Sequence, residues 1–204
     1  MQFIQTHEEL RTIYRQPGDG AVRKVLPALD GHCVSFLARS PFVLIGSSDG
    51  RGHADVTPKG DRPGFVAVLD PHTIAIPDRP GNNRLDTLEN LIADPSIGLL
   101  FLIPGMNETL RINGRARITT DEALRQRFEV DGKLPLSVIV VTVEAAYMHC
   151  AKAFMRSQLW QPESWPERGS MPTLGQILKD QLALADSAEA TDRWLDDAYR
   201  TSMW

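Results

Sequence analysis

From Pro41 onward the sequence is a succession of short β-prone runs parted by turn residues, and this patterning limits the fold more than any other feature. Phe42-Val43-Leu44-Ile45-Gly46 leads to Ser48-Asp49-Gly50, whose Asp-Gly pair favours a tight hairpin turn, so a return strand is expected over His53 to Thr57. Phe65 to Leu69 and Thr73 to Ile76 flank Asp70-Pro71-His72 at hairpin spacing, and Ile97 to Ile103 reads as the next strand. Thr109 to Thr119 alternates well: Leu110, Ile112, Ala116 and Ile118 point one way, Arg111, Asn113, Arg115 and Arg117 the other. Leu136 to Glu144 supplies at least a sixth strand. Two helices are spliced in, Asp86 to Asp94 with an apolar face of Leu88, Leu91 and Ile92, and Asp121 to Glu129 capped by Thr119 or Thr120. Short antiparallel strands with helices between them make the element order of a small closed or nearly closed barrel.

Helices flank this β-rich middle. Thr6-His7-Glu8-Glu9 matches a capping box, and the helix it starts is ended by Pro17-Gly18. A second helical patch covers His32 to Ala38. Past residue 145 the pattern turns helical again, and a helix from Tyr147 to Trp160 would stack His149, Lys152, Arg156 and Trp160 on one face. Trp160 to Pro172 reads as an irregular linker. Beyond it, Leu174, Ile177, Leu178 and Leu182 form one apolar helix face and Trp194, Leu195, Ala198 and Tyr199 another. The expectation is one domain over residues 1–204: a barrel core at about 30–145, a helix at about 147–160 and a helical appendage at about 173–200.

The bulk properties exclude several classes. The longest apolar runs, Ile97 to Ile103 and Val138 to Val143, fall well short of the roughly 20 residues that span a bilayer. The N-terminal residues lack the basic start and apolar stretch of a secretory signal, which makes a cytoplasmic address the expectation. Cys33 and Cys150 stand far apart with no Cys/His cluster, so neither a disulfide scaffold nor a zinc site is indicated. A net charge of −4 argues against a general nucleic-acid binder, whose affinity comes from Lys and Arg neutralising phosphates, while leaving room for a small anionic ligand.

Three segments carry candidate chemistry. Thr57-Pro58-Lys59-Gly60-Asp61 sits at a strand end and offers the point charge of Lys59, although it also makes an ordinary solvated turn. Pro77-Asp78-Arg79-Pro80-Gly81-Asn82-Asn83-Arg84 runs straight into the Asp86 helix, whose first N–H groups together with the Arg84 fork would hold an anion. A loop that merely caps the helix fits the same residues, and Asp86 and Glu89 must face away from any anion bound there. The helix proposed from Tyr147 to Trp160 is either a cationic ligand wall or an exposed face with Trp160 packed in the core or at a dimer seam. His53 and His149 are the histidines to weigh as proton donors, with exposure or packing the plainer account of each.

In order, these segments resemble the pyridoxamine 5'-phosphate oxidase-like FMN-binding superfamily over residues 30 to 160. The likeness is nearest to a bacterial group of FMN-dependent enzymes, through Asp55 to Asp61, Pro77 to Arg84, Leu99 to Gly105, Leu110 to Gly114 and His149 to Trp160. Five matching segments in order weigh far more than any one. The resemblance implies a mainly β fold with α additions, an antiparallel FMN-binding split β-barrel with peripheral and C-terminal helices. It also implies a homodimer with FMN at its interface, a small-molecule substrate and NAD(P)H as a candidate electron donor, with no part for nucleic acid, membrane or metal. By the same carry-over Lys59, Asn83 and Arg84, assisted by Asn82 or Thr57, would serve the phosphate. Asp55, Val56 and Thr57 with Pro77 and Asp78 would run beside the ribityl chain and ring edge, and the partner subunit would add Glu108 or Thr109 with Lys152, Arg156 and Trp160. Asn83-Arg84-Leu85 stands where the oxidases carry Ser-Arg-Lys, and their C-terminal Arg and His pattern has no counterpart here, which argues against oxidation of pyridoxamine phosphate itself. A flavin, deazaflavin or haem carrier or sensor without turnover is the alternative, with His149 the haem ligand to test.

Overall fold

The structure, a computed structural model, describes residues 1–203. Three short helices lead in: α1 (His7–Ile13), α2 (Asp19–Arg23) and α3 (Gly31–Leu37). Thr6 caps α1 by accepting the Glu9 N–H, and Asp30 caps α3 through the Cys33 N–H at 2.8 Å, turning Cys33, Phe36 and Leu37 into the core. The strands are β1 (Phe42–Ser48), β2 (Ala54–Gly60), β3 (Ala67–Asp70), β4 (Thr73–Asp78), β5 (Ser96–Leu102), β6 (Thr109–Thr119) and β7 (Ser137–His149). Between and after them come α4 (Asp86–Ala93), α5 (Glu122–Gln126), α6 (Lys152–Ser157), α7 (Leu174–Leu182) and α8 (Ala188–Ser202). Among the described residues no helix is long and apolar enough to cross a membrane.

The strands form one antiparallel sheet in the order β2-β1-β5-β6-β7-β4-β3. The sheet curls on itself. β2 and β4 lie near opposite ends of that order, yet the Lys59 ammonium on β2 sits 2.6 Å from the Asp78 carboxylate on β4. One step further, the Arg79 Nε donates to Asp61 at 2.7 Å, and a second Arg79 nitrogen donates to the Phe128 carbonyl. These pairs clasp the split of the barrel. Alternate residues of the strands fill its interior, among them Val43, Ile45, Ile74, Ile76, Leu99, Phe101, Leu110, Ile112, Ile139 and Val141, with Leu37 and Leu91 packed in from α3 and α4. The Asp61 side chain is 2% exposed, and removing one partner of a buried ion pair costs about 3 kcal/mol or more. Asp61→Asn is therefore expected to lower the thermal midpoint by several degrees, and an unchanged melting curve would show that the clasp does not hold the barrel closed.

Several boundaries differ from the sequence expectation for identifiable reasons. The Asp49-Gly50 turn is a wider loop over residues 49–53, because the Asp49 carboxylate accepts the Arg51 and His53 N–H groups and Gly50 and Gly52 take positive φ. The return strand accordingly starts at Ala54 and continues past Thr57 to Gly60, so Pro58 and Lys59 lie within a strand and not in a turn. Phe65 and Val66 are buried but precede β3, since the Phe65 N–H is taken by the Arg62 carbonyl across a turn. The cap of α5 is Asp121, not Thr119 or Thr120. β7 runs on to His149, paired along its length with β6, and thereby takes Tyr147, Met148 and His149 out of the expected helix. A bulge at the Asn113/Gly114 register shift leaves Glu144 as the extra residue of β7, so the inward positions change from Val141 and Val143 to Ala146.

Candidate functional site

The strand alternation that fills the core also builds the site. On β2, Asp55, Thr57 and Lys59 turn to one side and are half-buried, while Val56, 66% exposed, turns to the other. The first side faces the 78–84 segment and the start of α4, and together they enclose a slot of about 300 Å³. Asp55, Val56, Thr57, Lys59, Asp78, Asn82, Asn83 and Arg84 all line it, so two segments whose near ends, Lys59 and Asp78, lie 19 positions apart in sequence meet in one cavity.

The slot is shaped for an anion at its α4 end. Asn83 and Leu85 both adopt left-handed backbone, φ 58° and 62°, and Leu85 occupies the cap position without offering a side-chain acceptor to the first-turn N–H groups. The Asn82 side chain is spent on the loop, accepting the Arg84 N–H at 3.1 Å. The Arg84 guanidinium is 73% exposed and uses its Nε on Asp86 at 2.8 Å. Asp86 does not face away from this corner as expected: it pairs with Arg84 and raises its pKa, leaving the terminal nitrogens of the fork for another acceptor.

Val56 also lines a second cavity, a groove of about 600 Å³ on the outer face of the sheet. Its floor follows from strand register. Val56, Gly46, Gly98, Asn113 and Ala145 are successive cross-strand partners, as are Pro58, Leu44, Leu100, Arg111 and Tyr147 in the neighbouring row. The first row holds two adjacent glycines, so a trough free of side chains crosses β1 and β5 beside a ridge of Leu44 and Leu100. Thr109, Arg111, His149, Cys150, Lys152, Phe154 and Arg156 line the same groove. None of its lining residues is a carboxylate.

Burial, then the charges of Lys24 and Arg111, holds the His149 pKa below its ordinary 6.5. Its neutral form therefore prevails at pH 7. The unfolded chain takes up this proton near pH 6.5 and the folded chain only at lower pH, so the folded state loses stability as pH falls below 6.5. An NMR titration is expected to give a His149 midpoint under 6.5 that rises in Arg111→Gln; a midpoint at or above 6.5 in the unaltered protein would contradict this environment. The Cys150 thiol is likewise lowered, chiefly by the Lys152 N–H and then by the Lys152 charge.

Other expected site residues lie elsewhere. Pro77 is buried within β4, and Glu108 and Trp160 line neither cavity. The expected cationic face of one helix does not exist: His149 is on β7, Lys152 and Arg156 are on α6, and Gln158 in left-handed conformation ends that helix before Trp160. Trp160 is half-buried, stacks on Phe154 and donates its Nε1–H to the Met106 carbonyl at 2.7 Å, which pins the chain after α6 to the β5–β6 turn. His53 stands outside both cavities, its ring 2.7 Å from Asp49, with the pair drawing the Asp49 pKa down to about 2. The site residues missed from sequence are Leu44, Gly46, Gly98, Leu100 and Arg111. Only the outward phase of Arg111 on β6 was a signal for any of them.

The family model described as pyridoxamine 5'-phosphate oxidase matches residues 29–150, which takes in all seven strands and ends just past His149. The chain belongs to this family. Among curated proteins none matches the sequence. Solved structures similar to this pyridoxamine 5'-phosphate oxidase-family chain include HupZ of Group A Streptococcus, at 17% identity and TM-score 0.49, covering 59% of this chain and 98% of that one. A Lactobacillus delbrueckii protein provisionally described as a pyridoxamine 5'-phosphate oxidase is 18% identical, with TM-score 0.48 over 60% of this chain and 95% of that one. An F420 reductase is 16% identical, with TM-score 0.40 over 56% of this chain and 94% of that one. Members of the family bind flavins and are typically dimeric.

Proposed function

We propose that the protein is an FMN-dependent oxidoreductase that works as a homodimer, with the cofactor at the interface between the two barrels. The observation that carries this reading is the junction at Val56 of a polar slot ending on an uncapped helix start with a flat trough over Gly46 and Gly98. A ligand with a phosphate at one end and a planar ring at the other fits both at once. A Cβ at Gly46 would fill the floor of that trough, so the fit depends on glycine there.

In this reading the free Arg84 nitrogens, Asn83 and the first N–H groups of α4 hold the phosphate. Asp55 and Thr57 follow the ribityl hydroxyls. Lys59 is tied to Asp78 in the clasp, and the two act on the ligand as a hydrogen-bonded pair. Thr109, Lys152 and Arg156 share the groove with Gly46 and Gly98 and border the ring from its own barrel, with Glu108 and Trp160 at their margins. FMN, when bound, supplies the hydride or electron chemistry itself. The protein orients the ring against Leu44 and Leu100, excludes water from its face, and offers positive charge from Arg111, Lys152 and Arg156 where reduction places negative charge. The substrate is a small molecule reduced or oxidised beside the ring, with NAD(P)H the candidate donor, in a cytoplasmic setting.

The test is the absorbance of the protein as purified, then its response to NADH and NADPH. A flavin spectrum bleached by either nucleotide is the expected result. A Soret band, with His149 as its ligand, or a colourless protein that takes up no added FMN would overturn the reading.

A further inference from the structure

The family match ends at residue 150, and α7 and α8 lie beyond it. These helices pack on each other. Gly175 lets them approach, since a Cβ there would come within 2.5 Å of the Ala188 carbonyl, and its N–H donates to Asp192 at 2.8 Å. The pair makes no extended contact with the barrel. The residues it buries fully are small ones, Gly175, Ala188 and Thr191, while Ile177, Leu178 and Leu195 are half-buried. Leu182 is 63% exposed and Trp194 65%, with Leu174 and Tyr199 also open to solvent. An amphipathic helix pair that leaves its largest apolar side chains uncovered lacks the surface it evolved to meet.

Charge says what that surface is. Residues 173–203 carry six carboxylates, Asp180, Asp186, Glu189, Asp192, Asp196 and Asp197, against the three bases Lys179, Arg193 and Arg200. The sheet groove shows the opposite balance, with Arg111, Lys152 and Arg156 around an apolar floor and no carboxylate in its lining. The arm is also rooted beside that groove, because α6 forms one wall and Trp160 and Trp165 fix the chain that follows, yet it makes no extended contact with its own barrel.

We infer that the α7–α8 hairpin is an exchange arm, lying across the groove side of a second copy with its acidic, apolar surface on that copy's Arg111, Lys152 and Arg156. Two-fold symmetry makes the contact reciprocal, each barrel receiving the other's arm. The arm then covers the ring end of the site in trans. This rests on the homodimer proposed above, and not on the cofactor.

The experiment uses two full-length chains distinguishable by size. One carries Trp194→Cys with Cys150→Ser, and the other keeps Cys150, which is exposed at the groove, while Cys33 is buried in both. After mixing and exchange, a short bis-maleimide is expected to link the two chains to each other. A companion variant, Asp196→Lys with Asp197→Lys, is expected to weaken that linking at least tenfold, and Lys152→Glu with Arg156→Glu in the other chain to restore it. Dimers by sedimentation that form no link between chains overturn the exchange arm while leaving the homodimer standing. Monomers by sedimentation overturn both. Linking that is insensitive to charge reversal overturns the docking on the groove.

Discussion

Arg84→Ala is expected to yield protein that folds normally but loses its flavin on purification, with FMN affinity falling on the order of 100-fold. The side chain is mostly solvent-exposed and supports no core contact, so the thermal midpoint of the cofactor-free protein should not move. What is lost is a fork beside the start of α4 whose Nε is held on Asp86, leaving its terminal nitrogens for another acceptor. Arg84→Lys keeps the charge without the paired donors and is expected to recover part of the affinity. Flavin content measured by absorbance after denaturation decides the matter. Unchanged flavin per chain in Arg84→Ala would remove the phosphate from this corner of the slot.

Gly114→Val is expected to have the opposite character, destroying the fold before any question of cofactor arises. A Cβ at Gly114 would stand 2.0 Å from the Thr142 carbonyl oxygen and 3.3 Å from a Val141 methyl, at the bulge where β6 and β7 shift register. Backbone cannot give way there without opening the ladder. Overpacking of this kind costs roughly 3 kcal/mol or more, so insoluble protein or a thermal midpoint lowered by about 10 °C is the anticipated outcome. Gly46→Ala is the contrasting variant: its Cβ meets nothing nearer than 3.7 Å, so the barrel should melt as before while the trough loses room for a ring. Equal melting temperatures for Gly114→Val and the unaltered protein would show that the bulge is slack. Flavin binding unaffected by Gly46→Ala would place the ring elsewhere.

The strands of this protein were legible in the sequence because their signal is local. Apolar residues alternating with period two, as in Leu110 to Ile118, set both the presence of a strand and its inward face, and Arg111 was read outward for the same reason. The helix start after Arg84 was legible too, since a Pro and Gly loop leading into an amphipathic run needs only its own residues. Boundaries failed where a distant partner or a side chain overrode the local pattern. Tyr147 to His149 suit a helix but pair with β6, and Asp49 widened a turn that Asp-Gly alone would have made tight. The site itself divides along the same line. Of the residues that line the slot, Lys59 and Arg84 stood out by their local chemistry, while Asp55, Thr57 and Asn83 were named through the family resemblance. That Lys59 would be tied to Asp78, that Asp86 would turn to Arg84, and that Gly46 would fall beside Gly98 could not be named in advance. Sequence determines which way a side chain points from its own strand. Which side chains then meet depends on register and closure between strands far apart in the chain, and those are decided only when the whole barrel packs.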